Sequence, residues 1–164
     1  MTVPHAVIDS PMGQLTLVCS TDDELTGLYL DEQRHRPAEV LFGARDDSLL
    51  PEVAVQLAEY FAGGRTRFDL PLKMTGTPFQ QEVWAALQGI PYGETTTYKE
   101  LADALGKPQA ARAVGLANGK NPISIIVPCH RVIGSTGSLT GYGGGLQRKQ
   151  QLLAHERSDT LLPF

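Results

Sequence analysis

The residues best equipped for chemistry lie together in one stretch, Ile125 to Ile133, written IIVPCHRVI. A thiol is a strong nucleophile only as the thiolate, which a nearby base and a positive field both favour. Cys129 supplies the thiol, and His130 and Arg131 stand beside it as a base and a cation. Upstream, Ile123, Ile125, Ile126 and Val127 are interrupted only by Ser124. That apolar run predicts a buried strand stopping at Pro128, because proline cannot donate to a ladder. A strand end anchored in a core is a rigid platform. Adjacent residues there point in opposite directions, so direct contact between Cys129 and His130 is not expected.

The elements around this platform are short helices with clear start and stop signals. Thr77-Pro78-Phe79-Gln80 makes a capping box with proline in the first turn, and Phe79, Val83, Trp84 and Leu87 form an apolar stripe that puts Trp84 in the core. A second box, Thr97-Tyr98-Lys99-Glu100, opens a helix running to Leu105 and stopped by Gly106. Pro108 starts a third helix, Gln109 to Asn118, ended by Gly119. With only Gly106 and Lys107 between them, the last two helices make a helix-turn-helix. The second of the pair, QAARAVGLAN, has Arg112 as its one charged side chain and too few long polar groups to read a major groove. Its small residues suit close approach to a minor groove, and equally suit tight helix packing. Gly134 to Gly145 then holds six glycines, with Leu139-Thr140 as a short wing strand. Leu146 to Glu156 closes the chain as a helix with Leu152 and Leu153 inward and Glu156 near its end.

The amino-terminal half has a different grammar. HAVID, QLTLVCS and LTGLYLD alternate apolar and polar residues between turn-formers, which predicts an antiparallel meander. Residues 33–50 read as a polar loop with a short helix. Pro51 then opens a helix with Val53, Leu57, Tyr60 and Phe61 on one face, and Gly63-Gly64 ends it. Arg65 to Leu72 reads as one more strand, and Pro71 to Gly76 as the crossover between domains. No catalytic constellation is legible in this half. Cys19 is expected to pack in or beside the core, and the spacing of His5, His35 and Cys19 matches no zinc pattern.

At 164 residues and 41% hydrophobic, the chain can bury a core without staples. Its two cysteines are too few for a disulfide framework, no signal peptide is evident, and no run approaches the roughly 20 apolar residues of a membrane span. A cytoplasmic protein is expected. The net charge of -4 argues against a nucleic-acid partner only as an average. Residues 1–75 hold six basic and twelve acidic side chains, a balance of -6, whereas residues 76–164 hold eight and six, a balance of +2. The weakly basic half is the one that could meet DNA.

PCHRVI, with NPI and AARAVGLANG before it and GYGGG and LLAHE after it, resembles the O6-alkylguanine-DNA alkyltransferases, densely over residues 77–156. The resemblance implies an α/β (α+β) fold, with a ribonuclease-H-like sheet domain over residues 1–75 and a winged-helix-like helix-turn-helix domain over residues 76–164. It also implies direct DNA repair as a methylated-DNA-protein-cysteine S-methyltransferase, by irreversible single-turnover transfer of a methyl or other alkyl group from O6-alkylguanine to Cys129. Activity on O4-alkylthymine stays open. By the same resemblance His130 is the base, acting through a water, and Glu156, matched in LLAHE, orients it. Tyr98 helps swing the nucleotide out, Arg112 fills the gap in the duplex, and Asn121 ties the recognition helix to the segment before Cys129. Backbone groups of Cys129, Val132 and Gly143 line the guanine pocket, with Tyr142 as a wall. The implied partner is double-stranded DNA carrying O6-alkylguanine, bound through the minor groove by a monomer, with no membrane, metal or other cofactor.

Ser124 stands where some relatives have proline, and Gly143 where some have serine. Both changes trim the pocket rim and bear on the size of removable groups. Two other classes fit parts of the pattern: a cysteine hydrolase with a Cys-His-Glu triad, and a non-catalytic helix-turn-helix DNA-binding protein. Turnover separates the first, and Cys129 itself counts against the second.

Overall fold

The computed structural model describes residues 3–31, 37, 42–137, 142 and 145–157. The three alternating runs form strands β1 (Val3–Ile8), β2 (Leu15–Cys19) and β3 (Leu25–Leu30), each antiparallel to the next. The stretch expected to be a loop carries a fourth strand, β4 (Phe42–Arg45), which lies parallel to β1 and completes a sheet ordered β3-β2-β1-β4. Polarity hid it from the pattern, but pairing satisfies backbone groups on the outer edge of β1. Helix α1 (Pro51–Phe61) buries Val53, Leu57, Tyr60 and Phe61 as its periodicity requires.

Arg65 to Leu72 is not a strand. The Gln56 side chain takes both backbone groups of Asp69, accepting from its N–H at 2.8 Å and donating to its carbonyl at 3.0 Å, so this stretch has a local substitute for a ladder. Only Leu72 bridges to the sheet, beside Leu25 on β3.

In the carboxy-terminal half, helix α2 (Pro78–Leu87) starts with the complete capping box: Gln80 N–H donates to Thr77 Oγ1 at 3.1 Å, and Thr77 N–H donates to Gln80 Oε1 at 3.0 Å. Trp84 is core, its indole N–H donating to the Ala117 carbonyl at 2.9 Å. Helix α3 (Tyr98–Ala104) begins at Thr97, whose hydroxyl accepts from Glu100 N–H at 3.0 Å. Past its end Gly106 takes a φ of +74°, the left-handed turn that glycine adopts without strain. Helix α4 (Ala111–Gly119) starts two residues later than Gln109, because Pro108 and Gln109 are spent on a turn closed by Ala110 N–H on the Lys107 carbonyl. Helix α5 (Leu146–Glu156) buries Leu152 and Leu153. The expected wing strand at Leu139-Thr140 lies outside the described residues.

The largest correction concerns the platform for Cys129. Ile123 makes a single bridge to Leu28 on β3, with Leu28 N–H on the Pro122 carbonyl and Ser124 N–H on the Leu28 carbonyl, and then the chain turns sharply. Ile126 N–H reaches the Ser124 carbonyl and Val127 N–H the Ile123 carbonyl, while Ile125 sits at a φ of +71°. A β-branched residue there costs of order 1–3 kcal/mol and persists only where its surroundings hold it. Asn121 provides that hold. Its side-chain oxygen accepts from Ile123 N–H at 3.0 Å, and its amide donates to the Val127 carbonyl at 2.8 Å. Cys129–Arg131 is one turn of 3-10 helix, followed by β6 (Val132–Ile133), which pairs in parallel with β5 (Thr96–Thr97). An apolar run of this length is compatible with a strand or a buried turn, and periodicity alone does not distinguish them.

Candidate active site

Cys129 follows Pro128 at the start of the 3-10 turn and is 4% exposed. Burial pushes its thiol up to about 11, opposed by a hydrogen bond from Asn121 and by the positive charge of Lys149. Asn118, at the end of α4, donates to the Cys129 carbonyl at 3.3 Å, and Cys129 N–H donates to the Val127 carbonyl at 2.8 Å. Helix α4 and the turn therefore fix the backbone of Cys129 from two sides.

Glu156, on the last turn of α5, is the centre of a buried polar cluster. Its Oε2 lies 2.7 Å from His130 Nε2, 2.6 Å from the Tyr60 hydroxyl and 3.0 Å from an Arg131 terminal nitrogen, while Arg131 Nε donates to Oε1 at 2.8 Å. Burial alone would raise the carboxyl, but His130 and Arg131 outweigh it and hold Glu156 far below the usual range. An ionised carboxylate only accepts, so Nε2 must carry the imidazole proton. His130 is itself pushed down, chiefly by burial, so its ring is neutral near pH 7. Among the described residues its Nδ1 meets no hydrogen-bond partner. The cluster thus presents a neutral imidazole with its basic nitrogen unclaimed.

Three of these groups correct the expectations from sequence. Arg131 spends its charge on Glu156 through two nitrogens and donates through the third to the Ile90 carbonyl at 2.6 Å. Lys149 on α5 supplies the positive field at Cys129; it is fully buried, donates to the Val132 carbonyl at 2.5 Å and lies 5.8 Å above the Tyr98 ring. Burial brings its ammonium down to about 8 from 10.5. Tyr60 comes from the half that had shown no functional group. A lysine and a tyrosine at helical spacing read as a solvated cation and a core aromatic, and only the buried partners separate them from that.

Tyr98 is half-buried at the first position of α3, and a Cβ placed on Gly115 would stand 3.7 Å from its ring, so α4 runs close along it. Arg112 projects from the exposed face of α4. Val132 is buried, with its carbonyl engaged by Lys149. Tyr142 is buried near Cys129 and Ser124, its phenol pushed well above the ordinary value by burial and then by the thiol. Gly143 lies outside the described residues. No group of three or more His, Cys, Asp or Glu side chains able to hold a metal occurs among the described residues, and none of their helices is long and apolar enough to cross a membrane.

Two family models cover most of the chain: the ribonuclease-like domain of 6-O-methylguanine DNA methyltransferase matches residues 3–74, and its DNA binding domain matches residues 78–158. The chain belongs to the 6-O-methylguanine DNA methyltransferase family. Similar curated proteins include the methylated-DNA–protein-cysteine methyltransferase of Mycolicibacterium paratuberculosis, 53% identical over 94% of this chain and 93% of that protein. That of Salmonella typhimurium is 47% identical over 91% and 92%. The crystal structure of Mycobacterium tuberculosis OGT in complex with DNA superposes with a TM-score of 0.89 at 53% identity, covering 95% of this chain and 94% of that one. Membership assigns alkyl transfer in DNA repair, and DNA binding, to this chain. It also agrees with the mixed α/β architecture described above, a sheet domain followed by a helical one.

Proposed function

We propose that the chain repairs O6-alkylguanine in duplex DNA by transferring the alkyl group to Cys129, with a domain boundary near residues 75 and 76. The observation that carries this reading is the 2.7 Å contact between Glu156 and His130, which fixes one imidazole tautomer beside a buried thiol. As Sγ bonds to the alkyl carbon, the bond from that carbon to O6 breaks and its electron pair moves onto the purine. The thiol proton passes through a water to His130 Nδ1, and the departing guanine takes up a proton, with Tyr98 as its proposed donor. Glu156, held by Arg131, stays ionised throughout and orients His130 without accepting its proton.

Thiolate character is needed only at the moment of attack, which suits a thiol whose resting value is about 11. The product thioether is a poor leaving group, and none of the described residues is set to hydrolyse it, so transfer is irreversible and each chain acts once. Such chemistry needs no metal or cofactor. Arg112, the one charged side chain on the exposed face of α4, fits the role of filling the gap left by a nucleotide extruded through the minor groove. Asn121 holds the turn before Cys129, and Val132, Tyr142 and Gly143 fit a base pocket. We further infer a monomer acting in the cytoplasm, consistent with two unpaired cysteines.

Intact-mass measurement after incubation with DNA containing O6-methylguanine tests the reading. One methyl gained per chain, mapped to Cys129, is the expected result. Sustained turnover with no mass gain would move the chain to the hydrolases.

A further inference from the structure

The amino-terminal domain reaches the buried Glu156 carboxylate through the Tyr60 hydroxyl. Tyr60, on the last turn of α1, is fully buried, and its hydroxyl lies 2.6 Å from Glu156 Oε2, the same oxygen that His130 Nε2 approaches at 2.7 Å. An ionised carboxylate cannot donate, so the phenol donates to it. The Tyr60 carbonyl is bonded as well, to His155 Nε2 at 2.8 Å, so α1 grips two consecutive residues of α5. Its ring packs edge-on against Tyr92 at 6.1 Å and against Phe61 at 5.2 Å, which leaves the phenol little freedom to turn away.

We propose that Tyr60 is a positioning residue for alkyl transfer: it holds the Glu156 oxygen that holds His130, so that the amino-terminal domain completes the active site of the carboxy-terminal one. The assignment rests on the proposed role of His130 as base. Glu156 Oε2 accepts three hydrogen bonds, from His130, Arg131 and Tyr60. Each donor draws on the same negative charge, so the phenol weakens the pull of Glu156 on the imidazole proton. Without the phenol, Glu156 would bind the imidazolium more strongly and its carboxylate could rotate. Among the described residues, the other groups facing the pair are Arg131, Tyr92 and Tyr142 toward Glu156, and Arg131 and Lys149 toward His130. None of them replaces a donor from the amino-terminal side.

Tyr60→Phe keeps the ring and removes only the hydroxyl. The test uses the full chain and measures, per active protein, the single-turnover rate on duplex DNA containing O6-methylguanine between pH 5 and 9. Affinity for undamaged duplex is measured alongside. The plateau rate should fall roughly tenfold, about what one charge-assisted hydrogen bond is worth in a barrier. The acid limb should move upward by about half a pH unit as His130 becomes more basic, while DNA affinity stays unchanged. A plateau and acid limb identical to those of the parent chain, even with a lower melting temperature, would reduce Tyr60 to packing and overturn the proposal. The parent chain serves as the control for the wider reading: if it gains no methyl on Cys129, that reading fails whatever Tyr60→Phe does.

Discussion

The chain has two free cysteines, and both are buried. Cys19 on β2 is 1% exposed and Cys129 is 4% exposed, so exposure does not set them apart. Burial raises both thiols. Around Cys19 the charged neighbours, Asp23 and Asp46, raise it further, while around Cys129 the Asn121 amide and the Lys149 ammonium pull it down. What separates an inert thiol from a candidate nucleophile is therefore the sign of what faces it. The backbone differs too: Cys19 continues a strand, while Cys129 heads a 3-10 turn held by Asn118 and Asn121.

Exchanging the thiols for hydroxyls is the strongest way to break that contrast. Cys129→Ser should abolish alkyl transfer while leaving DNA binding intact, and Cys19→Ser should preserve both, as read by methyl gain in intact-mass spectra and by duplex affinity. Transfer at the full rate by Cys129→Ser would remove the distinction altogether.

The next effect concerns the charges that only the Cys129 side possesses. Glu156→Gln leaves Arg131 buried without its counter-charge, and breaking such a pair costs about 3–5 kcal/mol. The pH dependence has a definite sign. Both Glu156 and His130 have folded values below their ordinary ones of 4.5 and 6.5, so the unfolded chain binds more protons and stability is lost as pH falls. Denaturant unfolding should show stability declining below about 6.5 and more steeply below about 4.5. Glu156→Gln should lose its share of the steeper part; an unchanged slope would mean that the carboxylate is not held as described.

Lys149→Met sharpens the contrast by making the surroundings of Cys129 less like those of a nucleophile. Losing the facing ammonium should slow transfer about tenfold at pH 7, equivalent to one unit on the thiol. Methionine keeps much of the buried volume, and removing a buried charge offsets the lost bond to the Val132 carbonyl, so the melting temperature should change little. A variant that transfers at the parental rate would leave the Asn121 amide and a backbone hydrogen bond as the groups that lower the Cys129 thiol.

The smallest perturbation leaves both thiol environments untouched. Arg112→Ala lies on the exposed face of α4. It should slow transfer from duplex DNA clearly, from single-stranded DNA less, and from a free O6-alkylguanine base hardly at all. Opening a stack costs a few kcal/mol only where there is a stack to open. Equal slowing on all three substrates would turn Arg112 into a support for the fold.

Local sequence alone determined the helices and the candidate nucleophile. The capping box at Thr77, the hydroxyl N-cap at Thr97 (where only half of the expected box forms), Gly106 as a stop, the alternation through β1 to β3 and the face of α1 are all dictated by residues within a few positions of one another. Cys129 and His130 stood out for the same reason, and Glu156 only through its resemblance to a known family. Tertiary structure decided the rest. It made a buried turn of Ile123 to Val127, because the edge of β3 accepts only one bridge there and the Asn121 side chain fastens the turn at both ends. It also brought Tyr60 against Glu156 across 96 positions and buried the Lys149 ammonium where its charge is felt by the thiol. Those choices depend on which partners share a dry interior, and a polar group's role there is set by its neighbours in space instead of its neighbours in sequence.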